Sequence, residues 1–341
     1  MLTRKKMRKI LLAIPLTREL FFLFFQKKLY RKPIDKKIES LIKGRKKITG
    51  VRIDNLIVSL TSFPPRIMEV KYAIYSLLDQ TILPEKIVLW LEASHFPNKE
   101  QDLPTEFSKL KEYGLIIMWC DDLRSYSKLI PSLEQFPNHY IVIADDDIYY
   151  HKKWLEKLWF EHLKYPDDII CHIAEQILFK GKVMLPYIYW KRYVKNKSAG
   201  YHMLGCACGG ILYHINYLYK DVDRTDLFLN FAPHADDIWF YFMAVLNGTM
   251  IRVVEKPYTK VRYVNPYREY GLNNEHKLST INVDNDFNDQ QFANIKNYYG
   301  IDIYTLIERQ NENKNNPQLF GLEIYTKGME QLVSHVRNKC K

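Results

Sequence analysis

Tyr140-Ile141-Val142-Ile143-Ala144-Asp145-Asp146-Asp147-Ile148-Tyr149-Tyr150 decides how the chain is read. Its first half is apolar and β-branched, the pattern of a strand buried on both faces. It stops abruptly in three consecutive acids. In an open α/β sheet, ligands bind beyond the carboxyl ends of the strands. Three carboxylates crowded there repel one another unless a cation is present. One reading is a divalent-metal site for a phosphorylated ligand, with Asp145 and Asp147 as an Asp-x-Asp pair. The other is a solvated turn between strand and helix. The first fits better, because such turns rarely carry three acids after so apolar a strand.

Upstream, apolar runs alternate with helical patterns. Asn55–Leu60 reads as a first strand and Thr61-Ser62-Phe63-Pro64-Pro65-Arg66 as a loop set by its prolines. Residues 67–79 carry Ile67, Val70, Ile74, Leu77 and Leu78 at helical spacing. Lys86–Leu91 and Leu115–Cys120 read as further strands, the latter ending in Asp121-Asp122, with helices predicted over 104–113 and 125–135. Strands alternating with helices imply a mostly parallel, Rossmann-like α/β sheet flanked by helices. Downstream, residues 152–164 read as an amphipathic helix and Asp168–Ile173 as a strand. The Lys- and Tyr-rich stretch 180–201 reads as a mobile loop. Gly205–Tyr213 carries small residues into a strand, and Ala235-Asp236-Asp237-Ile238-Trp239 opens an apolar helix with acids in its first turn, where the dipole favours them. Residues 250–254 read as a late strand. Beyond 266 the chain is polar and Asn-rich, with weak helical pattern at 286–298 and 318–338.

The 341 residues suffice for one large domain or two modest ones. The formal net charge of +11 would suit a nucleic-acid binder until it is located. Residues 1–50 hold 16 Lys/Arg against 3 Asp/Glu, and the remainder 34 against 36. The basicity therefore belongs to the N-terminal arm, and the body has no basic, aromatic-interleaved stripe that would favour nucleic acid. In the arm, two apolar runs are separated by Arg18-Glu19. A membrane-spanning helix needs about 20 apolar residues without such a break, and no small-residue cleavage site follows as in a signal peptide. The expectation is an amphipathic helix at an anionic membrane surface, through residues 1–32, or an ordinary helix docked on the body. A second amphipathic helix follows, with Ile34, Ile38, Leu41 and Ile42 at helical spacing. The predicted organisation is an arm over 1–50, a catalytic domain over 51–265 and a C-terminal extension over 266–341. The five cysteines are odd in number and widely spaced, as expected of reduced cytosolic thiols.

No phosphate-binding G-x-x-x-x-G-K-[ST] or strand-linked G-x-G-x-x-G occurs, so neutralising a phosphate falls to an acid-bound metal. Mn²⁺ or Mg²⁺ suits carboxylates plus phosphate oxygens. Asp146 is expected to point away or to bond to backbone. Lys128 could reach a phosphate or ribose, or be a solvated helix lysine. Arg66 could hold a nucleotide or be a surface cation.

Five stretches, in this order, carry a resemblance: Leu60-Thr61-Ser62-Phe63-Pro64-Pro65-Arg66, Ser127-Lys128-Leu129-Ile130-Pro131, Ala144-Asp145-Asp146-Asp147, Gly205 to Gly210, and Ala235-Asp236-Asp237-Ile238-Trp239. Over about residues 55–250 the chain resembles GT-A-fold glycosyltransferases, closest to the bacterial family-2-like enzymes of surface-polysaccharide synthesis. The resemblance does not cover residues 1–50 and fades beyond 265. It implies that Thr61, Ser62 and Arg66 hold the nucleotide and that Asp121 or Asp122 contacts base or ribose, one of them alternatively capping a helix. It further implies that Lys128 and Asp146 lie on the donor side, that Asp145 and Asp147 bind the metal, and that Gly209 and Gly210 let the backbone approach the sugar. Cys206 and Cys208 read as packing residues.

Inverting transfer needs a carboxylate on the acceptor side to take the hydroxyl proton. Asp236 or Asp237 is the candidate, with Asp236 the better cap and Asp237 the better base. Members of the fold also use a late His as a third metal ligand, which points to His276, with His234 beside the base candidates. His151 reads as a helix-start residue. The function so implied is transfer of a sugar from a UDP- or GDP-sugar to a glycan or lipid-linked acceptor at the cytoplasmic membrane face. The rivals are a metal-dependent nucleotidyltransferase or phosphohydrolase, and a non-catalytic binding protein of the same fold.

Overall fold

Alternation along β1 (Val51–Ser62) sorts its side chains to two sides of one sheet. Leu56, Val58 and Leu60 join one apolar cluster, and Ile57 joins the other. β4 (Tyr140–Ile143) repeats the pattern, with Ile141 and Ile143 on one side and Val142 on the other. Such strands must be covered on both faces. The computed structural model, which describes residues 32–195, 199–265, 282 and 286–315, shows that cover. The expectations for residues 1–31, for His276 and for the helical pattern at 318–338 lie outside the described residues.

The central sheet has eight strands in the order β3-β2-β1-β4-β11-β5-β12-β9. Its remaining members are β2 (Ile82–Glu92), β3 (Leu115–Cys120), β5 (Ile169–Cys171), β9 (Ala199–Gly200), β11 (Ile211–Tyr213) and β12 (Ile251–Val253), while β6 (Ala174–Gln176) and β10 (Met203–Gly205) pair antiparallel in a separate ribbon. The pairs β3/β2, β2/β1, β1/β4 and β5/β12 are parallel. β11 runs antiparallel to both β4 and β5, and β9 antiparallel to β12. The expected α/β architecture with a mostly parallel sheet is what the chain adopts.

On the Leu56 side pack α1 (Lys32–Ile42), α2 (Val70–Leu78), α3 (Glu106–Lys111) and α5 (Trp154–Lys164). On the Ile57 side pack α4 (Ile130–Gln135), α6 (Thr225–Phe231), α7 (Asp236–Asn247) and α8 (Phe287–Tyr299), with Ile303 of α9 (Ile303–Asn315). α1 buries Ile38 and Leu41, and its Leu41 carbonyl accepts from the Tyr113 hydroxyl at 3.0 Å. α8 buries Phe292, Ile295 and Tyr299 in the same cluster as β4, so this late helix is part of the core.

Three local readings are corrected. The stretch 180–201 is not simply a mobile loop. Its described part holds the hairpin β7 (Phe179–Lys180)/β8 (Val183–Met184), a turn of 3-10 helix at Tyr187–Tyr189 and a buried Trp190 whose Nε1 donates to Leu185 O. The helix expected over 125–135 is broken into a 3-10 turn at Arg124–Lys128 and α4. Pro131 explains the break, since proline cannot continue a helix from the preceding turn. The helix at 303–315 was not anticipated, because its burial depends on the sheet edge it covers.

Strands β1, β2 and β3 wind outward in one direction, and β4 returns to the other side of β1. The order therefore reverses between β1 and β4. At such a reversal two strand-to-helix loops diverge and leave a crevice for ligands. Ser62 ends β1 and Arg66 lies in the loop after it, and the loop after β4 holds the three acids.

Candidate active site

The β1/β4 register fixes which side chains meet. Ser59 is level with Ile143, so three residues further on Ser62 faces Asp146. The Ser62 hydroxyl donates to Asp146 Oδ2 at 2.7 Å, and Arg66 Nη1 donates to Asp146 Oδ1 at 2.7 Å. Arg66 Nη1 also stands 2.9 Å from Asp147 Oδ2. Asp146 is 5% exposed. The expectation that Asp146 points away or bonds to backbone is corrected: both its oxygens are taken by side chains, Ser62 at the end of β1 and Arg66 in the loop that follows. Arg66 is likewise not a surface cation. Burial alone would lower its pKa, but Asp146 and then Asp147 outweigh that and hold it above the ordinary value.

Asp145 is held from the opposite side. Its backbone N–H donates to the Tyr150 hydroxyl at 2.7 Å, and Lys128 Nζ donates to its Oδ1 at 3.0 Å. Lys128 is 7% exposed, so the solvated reading of this lysine is overturned. Its turn is pinned to the segment before α7: Tyr126 OH donates to Ala232 O at 2.6 Å and Arg124 Nη1 to Pro233 O at 3.1 Å. Asp122 Oδ1 accepts from Arg124 N at 2.9 Å at the head of that turn. Asp121 and Asp122 are both exposed at the end of β3. The Lys128 ammonium also stands 3.3 Å from Asp236 Oδ2. Burial would lower its pKa, but Asp145, Asp236 and Asp237 together keep it well above the ordinary value.

Neither acid at the head of α7 is a helix cap. The N-cap position is Ala235, without a side-chain cap bond. Asp236 turns to Lys128, and both oxygens of Asp237 stand 3.2 Å from the Ala207 N–H, which they accept. Burial, and next the neighbouring Asp236, raise the Asp237 pKa well above the usual carboxylate range. Lys128 and the Ala207 amide oppose this without cancelling it. A carboxyl so raised is a better proton acceptor once ionised than an ordinary surface acid.

The small-residue segment joins the two acid groups. Trp154 Nε1 donates to Gly209 O at 2.6 Å, and its ring lies 4.2 Å from that of Tyr150. Gly210 has φ +86°, and a Cβ there would come within 2.2 Å of Trp154. A Cβ on Gly209 would meet Ile173 at 2.7 Å. The glycines are thus required by packing beside the acids. Burial foremost raises the thiol pKa values of Cys206 and Cys208 well above the ordinary value, which keeps both protonated. Thr61 Oγ1 donates to Trp90 O at 3.0 Å, within the sheet. His151 accepts at Nδ1 from Lys153 N at 3.2 Å, just before α5. His234 lies against α8, its N–H donating to Gln291 Oε1 at 2.9 Å.

The structure therefore brings together Ser62, Arg66, Lys128, Asp145, Asp146, Asp147, Asp236 and Asp237. Tyr150 and Trp154 belong with them, although sequence reading assigned them no role. The only early signal was Tyr-Tyr directly after the acids, which a packing pattern explains equally well.

A divalent cation fits this donor set in chemistry and charge. Five carboxylates share two cationic side chains, so negative charge is in excess. Among the described residues no group of three or more His, Cys, Asp or Glu is arranged to hold a metal alone. Mg²⁺-like ions need only one or two carboxylates when substrate phosphates and water complete the shell.

No protein-family model and no curated protein matches the chain. Its fold is similar to the crystal structure of S. aureus TarS 1–349, at 12% identity and a TM-score of 0.38 over 61% of this chain and 59% of that one. The same TarS fragment in complex with UDP gives 13% and 0.39 over the same shares. A CMP:2-keto-3-deoxy-manno-octonic acid synthetase complexed with CTP gives 10% and 0.35, over 61% of this chain and 89% of that one. The chain thus spans about three fifths of the TarS fragment. Likeness at this level transfers no residue role.

Proposed function

We propose that the chain is a metal-dependent glycosyltransferase of GT-A type, moving a sugar from a nucleoside-diphosphate donor to an acceptor hydroxyl with inversion. One observation carries this reading: two acid groups, Asp145–Asp147 and Asp236–Asp237, meet at the β1/β4 switch point through a single buried lysine. A hydrolase or nucleotidyltransferase needs the first group. The second, with a raised carboxyl in Asp237, supports a proton acceptor held apart from the metal ligands.

In this reading Asp145 and Asp147 hold Mn²⁺ or Mg²⁺, which when bound offsets the charge of the departing diphosphate. Asp146 does not touch the ligand. It fixes Arg66, which lies against Asp147 and so faces the phosphates. Thr61, Asp121 and Asp122 border the crevice on the nucleotide side. Asp237 takes the proton of the acceptor hydroxyl as the sugar bond forms, and the Ala207 N–H orients its carboxylate. Trp154 and Tyr150 keep the two loops in register. The donor is a UDP- or GDP-sugar, and the acceptor is a glycan or lipid-linked glycan.

The basic arm supports a location at the anionic cytoplasmic face of the membrane, where lipid-linked acceptors lie. Absence of binding to anionic liposomes at low salt would remove that part. The catalytic reading is tested by thermal shift with UDP- and GDP-sugars, with and without Mn²⁺. Ligand binding to the native state raises its apparent stability. The reading requires a nucleotide-dependent rise that needs Mn²⁺ and is lost in Asp147→Asn. No rise with any nucleotide sugar overturns it.

A further inference from the structure

Lys128 connects two groups that the proposed reaction uses separately. Its ammonium lies 3.0 Å from Asp145 Oδ1 and 3.3 Å from Asp236 Oδ2. An ammonium has three donors and no acceptor, so it can serve both carboxylates at once. Asp236 Oδ2 is buried and makes no well-formed hydrogen bond, so the ion contact with Lys128 is what offsets its burial. The turn carrying Lys128 is anchored at Ala232 and Pro233, just ahead of Asp236, which keeps the lysine within reach of α7.

We propose that Lys128 is a resident counter-ion that competes with the divalent cation for Asp145 and shifts toward Asp236 when that cation binds. The proposal rests on the metal-dependent reading above. A dication at Asp145 and a lysine ammonium at the same oxygen repel each other across a few ångströms of protein. Asp236 is the nearest relief, already in contact and without another hydrogen bond. The flexible four-carbon stem of lysine permits so short a shift. Lys128 is thus a positioning residue. It keeps the acid groups from repelling one another before the donor arrives, and it makes metal binding and the Lys128–Asp236 contact mutually supportive.

The experiment is titration of the full-length protein with Mn²⁺ alone, followed by electron paramagnetic resonance of the free ion. Lys128→Met, of similar length and uncharged, is expected to bind Mn²⁺ about tenfold tighter, because the competing cation is gone. Lys128→Arg is expected to restore the wild-type affinity. Asp236→Asn is expected to weaken Mn²⁺ binding several-fold, since Asp145 is then the one carboxylate in direct contact with Lys128. In Lys128→Met/Asp236→Asn that weakening is expected to vanish. A purely structural lysine would give looser metal binding on removal. Wild-type affinity in natively folded Lys128→Met, or weaker, overturns the proposal. If Lys128→Met does not fold, unchanged or tighter binding in Asp236→Asn does the same. If the wild-type protein itself binds no Mn²⁺, the metal-dependent reading falls and this proposal with it. Wild-type binding without tightening removes only the role of Lys128.

Discussion

The Ser62 hydroxyl, at the end of β1, donates to the Asp146 carboxylate in the loop after β4 at 2.7 Å. The middle acid of the triplet is thereby a structural tie between the end of β1 with its following loop and the loop after β4, with Arg66 holding its other oxygen.

Removing that tie leaves Arg66 partly buried with Asp147 alone. Asp146→Ala is expected to lower the unfolding free energy by about 2–4 kcal/mol, somewhat under the roughly 3–5 kcal/mol for one-sided loss of a fully buried pair, because the Arg66 side chain keeps some solvent. Ser62→Ala, which removes one hydrogen bond, is expected to cost about 1 kcal/mol. Urea midpoints check both. Asp146→Ala with unchanged stability and lost metal binding would instead make Asp146 a ligand.

Asp237 has the opposite character. Its folded pKa lies above the ordinary carboxylate value, so the stability it contributes is present below the unfolded pKa and is lost as pH rises through the folded one. Asp237→Asn is therefore expected to be neutral or stabilising at pH 7, while transfer falls by roughly 10²–10⁴, the usual worth of a positioned base. Nucleotide binding is expected to persist. Loss of nucleotide binding along with turnover would place Asp237 on the donor side.

His172 gives the fold an acid-sensitive point. Its buried ring stands 3.0 Å from Trp154 O through Nε2, and it accepts at Nδ1 from Tyr258 N at 3.2 Å. Burial lowers its pKa from 6.5 to about 4. Between those values the unfolded chain takes up a proton that the folded chain refuses. Stability is thus present above pH 6.5 and lost as pH falls toward 4, by roughly 3 kcal/mol. His162 is lowered similarly, to about 4, first by burial. Melting temperatures from pH 7 to 4.5 are expected to fall less steeply in His172→Gln, by about half the wild-type slope. An unchanged slope would contradict this.

Gly210 sets how closely the small-residue segment approaches α5. With φ +86° and Trp154 in the place of a Cβ, Gly210→Ala is expected to cost about 3 kcal/mol through backbone strain and overlap. Because the Trp154 ring packs, tilted, against Tyr150, whose hydroxyl accepts from Asp145 N, metal affinity is expected to fall as well. Wild-type metal affinity in the variant would mean that the two loops are not coupled through Trp154.

The sheet and its acidic edge were legible because the unbroken apolar runs at Leu56–Leu60 and Ile141–Ala144 are a local signal of strands buried on both faces. Asp145–Asp147 stood out for the same reason, as charge directly after a buried strand. The burial of Lys128 was not legible. Its counter-charges come from residues 145 and 236, and within Arg124–Lys128 nothing distinguishes it from a solvated lysine. The reading of Asp236 as a cap failed likewise: the first turn of α7 is where acids cap helices, and only the tertiary approach of residues 128 and 207 turns them elsewhere. The folded character of 180–195 was hidden because its ordering rests on long-range contacts, such as Tyr187 N donating to Asp289 Oδ1 at 2.9 Å.

The most direct test of the central claim is Mn²⁺-dependent turnover of a nucleotide sugar in wild-type protein, Asp147→Asn and Asp237→Asn, with nucleotide binding measured on the same samples. The account predicts that wild-type protein releases nucleoside diphosphate only with Mn²⁺ or Mg²⁺. It predicts that Asp147→Asn loses both metal-dependent binding and turnover, whereas Asp237→Asn binds the nucleotide and fails to turn it over. Metal-independent release, or equal turnover in Asp237→Asn and wild type, would contradict it.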